Sequence, residues 1–222
     1  MRSRRATRPA RAEFLTKGFD AERNSFRQHY DTGDVDASLL QLPQIGFIDA
    51  DDPRMRGTVA ALEHDLMVDG LLLRYRTSSG VDGIAGEEHP FLACSFWLVE
   101  QYAASGRLPD ARVLMDRLTS FVNDVGLLSE QYDPVRRRQM GNTPQALSHL
   151  ALVRAADAIA AAEKGHAAEL ANVRGESEAG QAGQRPQPEP PTDEPADLGR
   201  TPEESRDRAD IEIPTPPSDD PR

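Results

Sequence analysis

The sequence predicts an all-α fold, and three observations carry that expectation. Apolar residues recur at helical spacing in several segments between Met55 and Ala162. Prolines, one of them behind two acids, open these segments as first-turn prolines open helices. Glycines then close them, and the polar stretches between carry no β-sheet architecture.

The elements follow in order. Residues 1–11 hold Arg2, Arg4, Arg5, Arg8 and Arg11 and read as a disordered basic arm. Such an arm resembles an organelle transit peptide or a nucleic-acid contact, but it fits a solvated arm or the ragged start of a fragment better than either; with no apolar h-region it is no secretory signal. Residues 35–42 form a short amphipathic turn with Asp34 or Asp36 near its start. Asp51-Asp52-Pro53 opens a helix with Met55, Val59, Leu62, Leu66 and Met67 on one face, stopped by Gly70. Leu71 to Tyr75 is a short extended piece, and a loop punctuated by Gly80, Gly83 and Gly86 follows. Pro90 opens a helix that is apolar nearly all round from Phe91 to Val99, the pattern of a helix buried on most sides. Leu108-Pro109-Asp110 starts the next, with Val113, Leu114, Leu118, Phe121 and Val122 on one face and Gly126 at its end. A polar loop over 129–142 leads to Pro144 and a last helix reaching about Ala162.

Charge divides the chain. Residues 166–222 carry 14 acids against 6 basic residues, a net of −8, which leaves −3 of the total −11 for the rest. Ten of the 17 prolines lie between Pro186 and Pro221. A Pro/acid-rich stretch with few large apolar residues buries too little surface to offset its ordering entropy, so residues 164–222 read as a disordered tail. That leaves 12–163 as the folded part. No run approaches the roughly 18 apolar residues of a membrane span. An acidic chain without a basic, aromatic-studded face is a poor nucleic-acid binder. The compartment expected is cytoplasmic.

Among chemical candidates, Glu130 stands out. It lies in Gly126-Leu127-Leu128-Ser129-Glu130-Gln131-Tyr132-Asp133-Pro134, between two helical segments, among a hydroxyl, an amide, a phenol and a second acid. Those surroundings suit proton transfer with water, though an exposed loop acid fits as well. Glu87 and Glu88 precede Pro90 and read first as carboxylates favoured by a helix N-terminus. Arg74 and Arg76 flank Tyr75 and fit either a sugar hydroxyl or nearby acids. Cys94, Phe96 and Trp97 read as core, and His149 as a satisfied core histidine. No spacing points to a metal site, and neither a phosphate loop nor a GxSxG elbow occurs.

Several motifs then coincide. Ser129-Glu130-Gln131-Tyr132-Asp133 with Gln139, Glu88-His89-Pro90-Phe91-Leu92-Ala93-Cys94-Ser95-Phe96-Trp97-Leu98, and Gly141-Asn142-Thr143-Pro144-Gln145-Ala146-Leu147-Ser148-His149-Leu150 resemble, in register, segments of glycoside hydrolase family 15. Lys17-Gly18-Phe19-Asp20 and Asp36-Ala37-Ser38-Leu39-Leu40 fit too, so the resemblance covers roughly residues 12–162. It implies part of an (α/α)6 toroid and inverting hydrolysis of an O-glycosyl bond in an α-glucoside or oligosaccharide, as in glucoamylases and trehalases, with no cofactor. It also implies roles: Glu130 as general base, Arg74 holding a sugar hydroxyl, and Glu88 lining the pocket. The family's general acid sits upstream in a Trp-Glu segment, which this chain lacks, since its one tryptophan is Trp97. The expectation is a C-terminal portion with a truncated or shifted start, inactive alone. It would be completed by a separate N-terminal half, or would act as a non-catalytic helical subunit that closes its toroid against another chain or self-associates.

Overall fold

Helix α3 (Leu92–Ala104) is the centre of the computed structural model, which describes the backbone of residues 3–77 and 88–182 and the side chains of 9–77 and 88–168. Leu92, Ala93, Cys94, Phe96, Leu98 and Val99 are all buried, as a helix without a polar face requires. No side chain caps it; its leading N–H groups go instead to neighbouring loops. Phe91 donates to the Leu72 carbonyl and Leu92 to the Glu130 carbonyl, both at 2.9 Å.

Before α3 in the chain come α1 (Ser3–Lys17), the strands β1 (Phe19–Asp20) and β2 (Ser25–Phe26), a 3-10 helix over Ala37–Gln41, α2 (Pro53–Leu66), and the strands β3 (Met67–Val68) and β4 (Leu71–Leu72). The expected caps form. Asp36 accepts the Ser38 N–H at 2.7 Å, and Asp52 accepts the Arg54 N–H at 2.9 Å. Helix α2 packs on the β1–β2 turn, where only glycine fits at position 57, because a Cβ there would meet the Asn24 carbonyl at 1.9 Å. After α3, Gly106 turns the chain with φ +83° into α4 (Leu108–Thr119), which buries Ala111, Leu114 and Leu118. The strands β5 (Gln131–Asp133) and β6 (Arg138–Met140) follow, then α5 (Ala146–Ala182). All three strand pairs are antiparallel, with Met67 facing Leu72 in the second and Tyr132 facing Gln139 in the third.

The architecture is mostly helical, as expected, with corrections at the joints. Among the described residues there are three two-stranded hairpins: β1–β2 where no element was expected, β3–β4 across the end of the expected helix and the extended piece, and β5–β6 within the expected loop; strands of two or three residues are too short to display a period of two. Helix α1 begins at Ser3, so residues 3–11 of the stretch read as a basic arm form its leading turns, and Phe14 and Leu15 pack against the core. Helix α2 stops at Leu66, and Met67 turns into β3. Helix α4 ends at Thr119, before Phe121 and Val122. Helix α5 runs past Ala162 through Ala182, across part of the stretch read as tail, because alanine-rich sequence favours the helix intrinsically. The glycine loop with Glu87, and the proline-rich residues from 183 on, lie outside the described residues.

Candidate functional site

Glu130 leads directly into the β5–β6 hairpin, and its backbone is tied on both sides. Its carbonyl accepts from Leu92, and its N–H donates to the Asn142 carbonyl at 2.9 Å. On the carboxylate, Oε2 accepts the Asn142 backbone N–H at 3.2 Å and the Asn142 Nδ2–H at 2.9 Å. Gly141 makes room for that contact. A Cβ there would lie 2.8 Å from Oε2, and the residue sits at φ +72°, where glycine is at ease.

The segment before Glu130 is held from α5. Leu128 N–H donates to His149 Nε2 at 3.1 Å, which puts the neutral imidazole's own proton on Nδ1. The buried Ser148 hydroxyl donates to the Ser129 carbonyl at 2.8 Å, and Gln145 N–H donates to the Leu128 carbonyl at 2.9 Å. Gln139 Nε2 reaches the Phe121 carbonyl and, at 2.9 Å, the Leu127 carbonyl. Tyr132 stacks on Phe121 with ring centroids 3.8 Å apart. His149 is thus satisfied, as expected, but it fastens this loop rather than filling a core position.

Arg74 and Glu88 form an ion pair through Nη2 and Oε1. Burial opposes the Arg74 charge, but the Glu88 carboxylate outweighs it and holds the guanidinium above its usual range. The same guanidinium lies 4.5 Å from the centroid of Tyr75 and 5.6 Å from that of Phe91. Two buried atoms of the pair, Arg74 Nε and Glu88 Oε2, have no hydrogen-bond partner among the described residues. Glu88 therefore pairs with an arginine, where the residues alone favoured a helix cap.

Backbone contacts bring these groups to one end of α3. Phe91 bridges Leu72 and Gln131, and Tyr132 N–H donates to the Pro90 carbonyl at 3.0 Å. Glu88, Arg74 and Glu130 therefore sit on adjoining segments, while among the described residues the bonds of the Glu130 carboxylate go to Asn142. Arg76 is turned away toward Asp65, Nη2 to Oδ1 at 3.3 Å. Buried Asp133 accepts the Val135 and Arg136 N–H groups at 3.0 Å and pairs with the Arg136 guanidinium. The Arg136 backbone N–H is the largest influence holding its carboxyl below the usual aspartate range, against the opposing effect of burial. Burial raises the Cys94 thiol far out of the reactive range, in keeping with a structural cysteine, and Phe96 is core. Trp97 is half-buried against that core. Among the described residues, no cluster of His, Cys, Asp or Glu fits a metal ion, and no helix is long and apolar enough to cross a membrane.

Against known families, the model described as "Glycosyl hydrolases family 15" matches residues 2–114 and 109–157. The chain belongs to that family. The match starts upstream of residue 12, where the motifs alone placed the boundary. The chain is similar to the trehalase of Thermoplasma acidophilum, 46% identical over 145 residues, covering 65% of this chain and 24% of that protein. Similarity to the trehalase of Mycolicibacterium smegmatis is 43% over 154 residues, covering 69% and 23%. The chain spans about a quarter of the length of the curated relatives it matches. A solved structure described as "Glycosidase Wild Type" shares its fold with a TM-score of 0.60, at 22% identity, over 70% of this chain and 43% of that one. The helical architecture here is accordingly part of a toroid-like glycosidase fold.

Asn142 and Ser148 are the residues that the motifs contained without revealing their contacts. Both were visible inside Gly141–Leu150, but their partners lie 12 and 19 residues away, across a hairpin that the sequence did not disclose.

Proposed function

We propose that these residues form the base-bearing part of an inverting α-glucoside hydrolase, with Glu130 as the general base. The observation that carries this reading is the Glu130 carboxylate itself: half-buried, held through one oxygen, in a family 15 chain. In the reaction, a water oxygen attacks the anomeric carbon while its proton passes to Glu130. The bond to the leaving oxygen breaks on the opposite face of the sugar, where a general acid protonates it. The two carboxyls of such a pair stand about 6.5–9.5 Å apart to admit the water. Arg74 and Glu88 hold the sugar. The Arg74 side chain is partly exposed, so its guanidinium N–H groups can donate to a sugar hydroxyl while the Glu88 carboxylate holds it in place.

The substrate proposed is an α-glucoside, trehalose foremost, since the similar proteins named above are trehalases. The acid comes from polypeptide outside these 222 residues, because they contain no Trp-Glu segment. Without a positioned acid, a rate factor of ~10²–10⁴ is lost. The purified chain should leave trehalose and maltose intact. It should hydrolyse α-glucosyl fluoride, whose fluoride departs with its electron pair and needs no proton. Robust trehalose hydrolysis by the chain alone would refute the missing acid.

A second reading, a helical subunit completing its toroid with another chain, draws on α5. Leu147, Leu150 and Val153 are exposed on it, at 41%, 59% and 53%, while Ala151 and Ala155 are buried. An apolar face of that kind favours association. Size-exclusion chromatography separates the two readings: assembly that Glu130→Gln leaves untouched, in a chain inert toward the fluoride, supports the subunit.

A further inference from the structure

We propose that Asn142 is a positioning residue for Glu130, turning the carboxylate so that Oε1 takes the proton, with Gly141 shaping the gap in which it turns. The inference rests on Glu130 being the base. Two donors of one residue converge on one oxygen, the Asn142 N–H at 3.2 Å and the Nδ2–H at 2.9 Å. The terminal torsion of a glutamate is broad and roughly two-fold, so a free carboxylate presents either oxygen over a wide range of directions. Two bonds to Oε2 remove that freedom and leave Oε1 as the oxygen for water. A base acts through one lone pair, and its direction matters as much as its basicity.

Holding the hairpin together does not require these side-chain bonds. The hairpin is already closed by the pairs 131–140, 132–139 and 133–138, and by the Glu130 N–H to the Asn142 carbonyl. Asn142 is also exposed, where water competes for a side-chain bond to a carboxylate and leaves it little net stability. Gly141 adds the second constraint, since a methyl group there would lie 2.8 Å from Oε2 and 3.1 Å from the Glu130 Cβ.

The test uses the full chain and α-glucosyl fluoride. Asn142→Ala keeps the backbone donor and should lower kcat between about 10-fold and about 100-fold with KM unchanged. Asn142→Asp keeps the shape but replaces the donor by an acceptor, and should lose at least as much. Gly141→Ala should lose more than Asn142→Ala. Wild-type kcat in both Asn142 variants, or a change confined to KM, overturns the positioning role while Glu130→Gln remains inactive. If Glu130→Gln keeps the wild-type rate, or the wild type shows no turnover that depends on Glu130, the base reading has failed and this inference fails with it. One further readout needs no turnover: the Asn142 side-chain amide resonance should move toward its solvent-exposed position in Glu130→Ala, and an unmoved resonance overturns the contact.

Discussion

The two sides of the candidate site are built differently. Around Glu130 nearly every bond is closed: Asn142 on the carboxylate, Leu92 and Asn142 on the backbone, His149 and Ser148 on the residues just before it. Around Arg74 and Glu88, one ion pair is made, and a buried donor and a buried acceptor have no partner among the described residues. A preorganised base loses nothing to reorganisation when it acts. On the proposed function, the partly exposed Arg74 guanidinium offers bonds to a sugar. Under the proposed function, the difference separates a group that must be aimed from groups that must bind.

The largest expected effect removes the comparison altogether. Phe96 is fully buried in α3, whose first turn docks both sides. Phe96→Ala should cost about 3–5 kcal/mol of stability, read from denaturant unfolding, and should loosen both sides together. Next, Arg74→Ala should act on the sugar side alone. Hydrogen bonds to charged groups are worth about 1.5–3 kcal/mol, so the dissociation constant for methyl α-glucoside in an NMR titration should rise at least about tenfold. The Asn142 resonances should stay in place; movement there would mean that the two sides are coupled.

His149→Ala breaks the opposite side. It leaves the Leu128 N–H without its acceptor beneath a buried leucine, an expected loss of about 1–3 kcal/mol in thermal or urea unfolding. His149→Gln, which restores an acceptor, should recover part of it. Asp133 gives the smallest effect, and it depends on pH. Its carboxyl sits below the usual aspartate value in the folded chain, so the unfolded chain binds its proton first as pH falls. Its contribution is fully present above about pH 4 and disappears as pH drops through the lowered value. Acid unfolding followed by circular dichroism should therefore be shallower in Asp133→Asn than in the wild type, and equal slopes would contradict the assignment.

Much of the fold was legible because it rests on long-period signals. The all-round apolar run of α3, the Asp52-Pro53 opening of α2 and the Asp36 cap all stand as the residues implied. The hairpins were not legible, since ladders of two or three residue pairs leave no period to read. Glu130, Arg74 and Glu88 were each identifiable by motif. That Glu88 pairs with Arg74 across 14 residues, or Glu130 with Asn142 across 12, depends on where the chain turns back. Sequence spacing does not encode that. Helix α5 outran its expected end because propensity persists where the apolar period fades.

The central claim, Glu130 as the base of an inverting reaction, is tested most directly by the anomer that the full chain releases from α-glucosyl fluoride, followed by proton NMR before mutarotation. The account predicts β-glucose, with Glu130→Gln slower by ~10²–10⁴-fold and its melting temperature unchanged. Release of α-glucose, or a rate indifferent to Glu130→Gln, would contradict it.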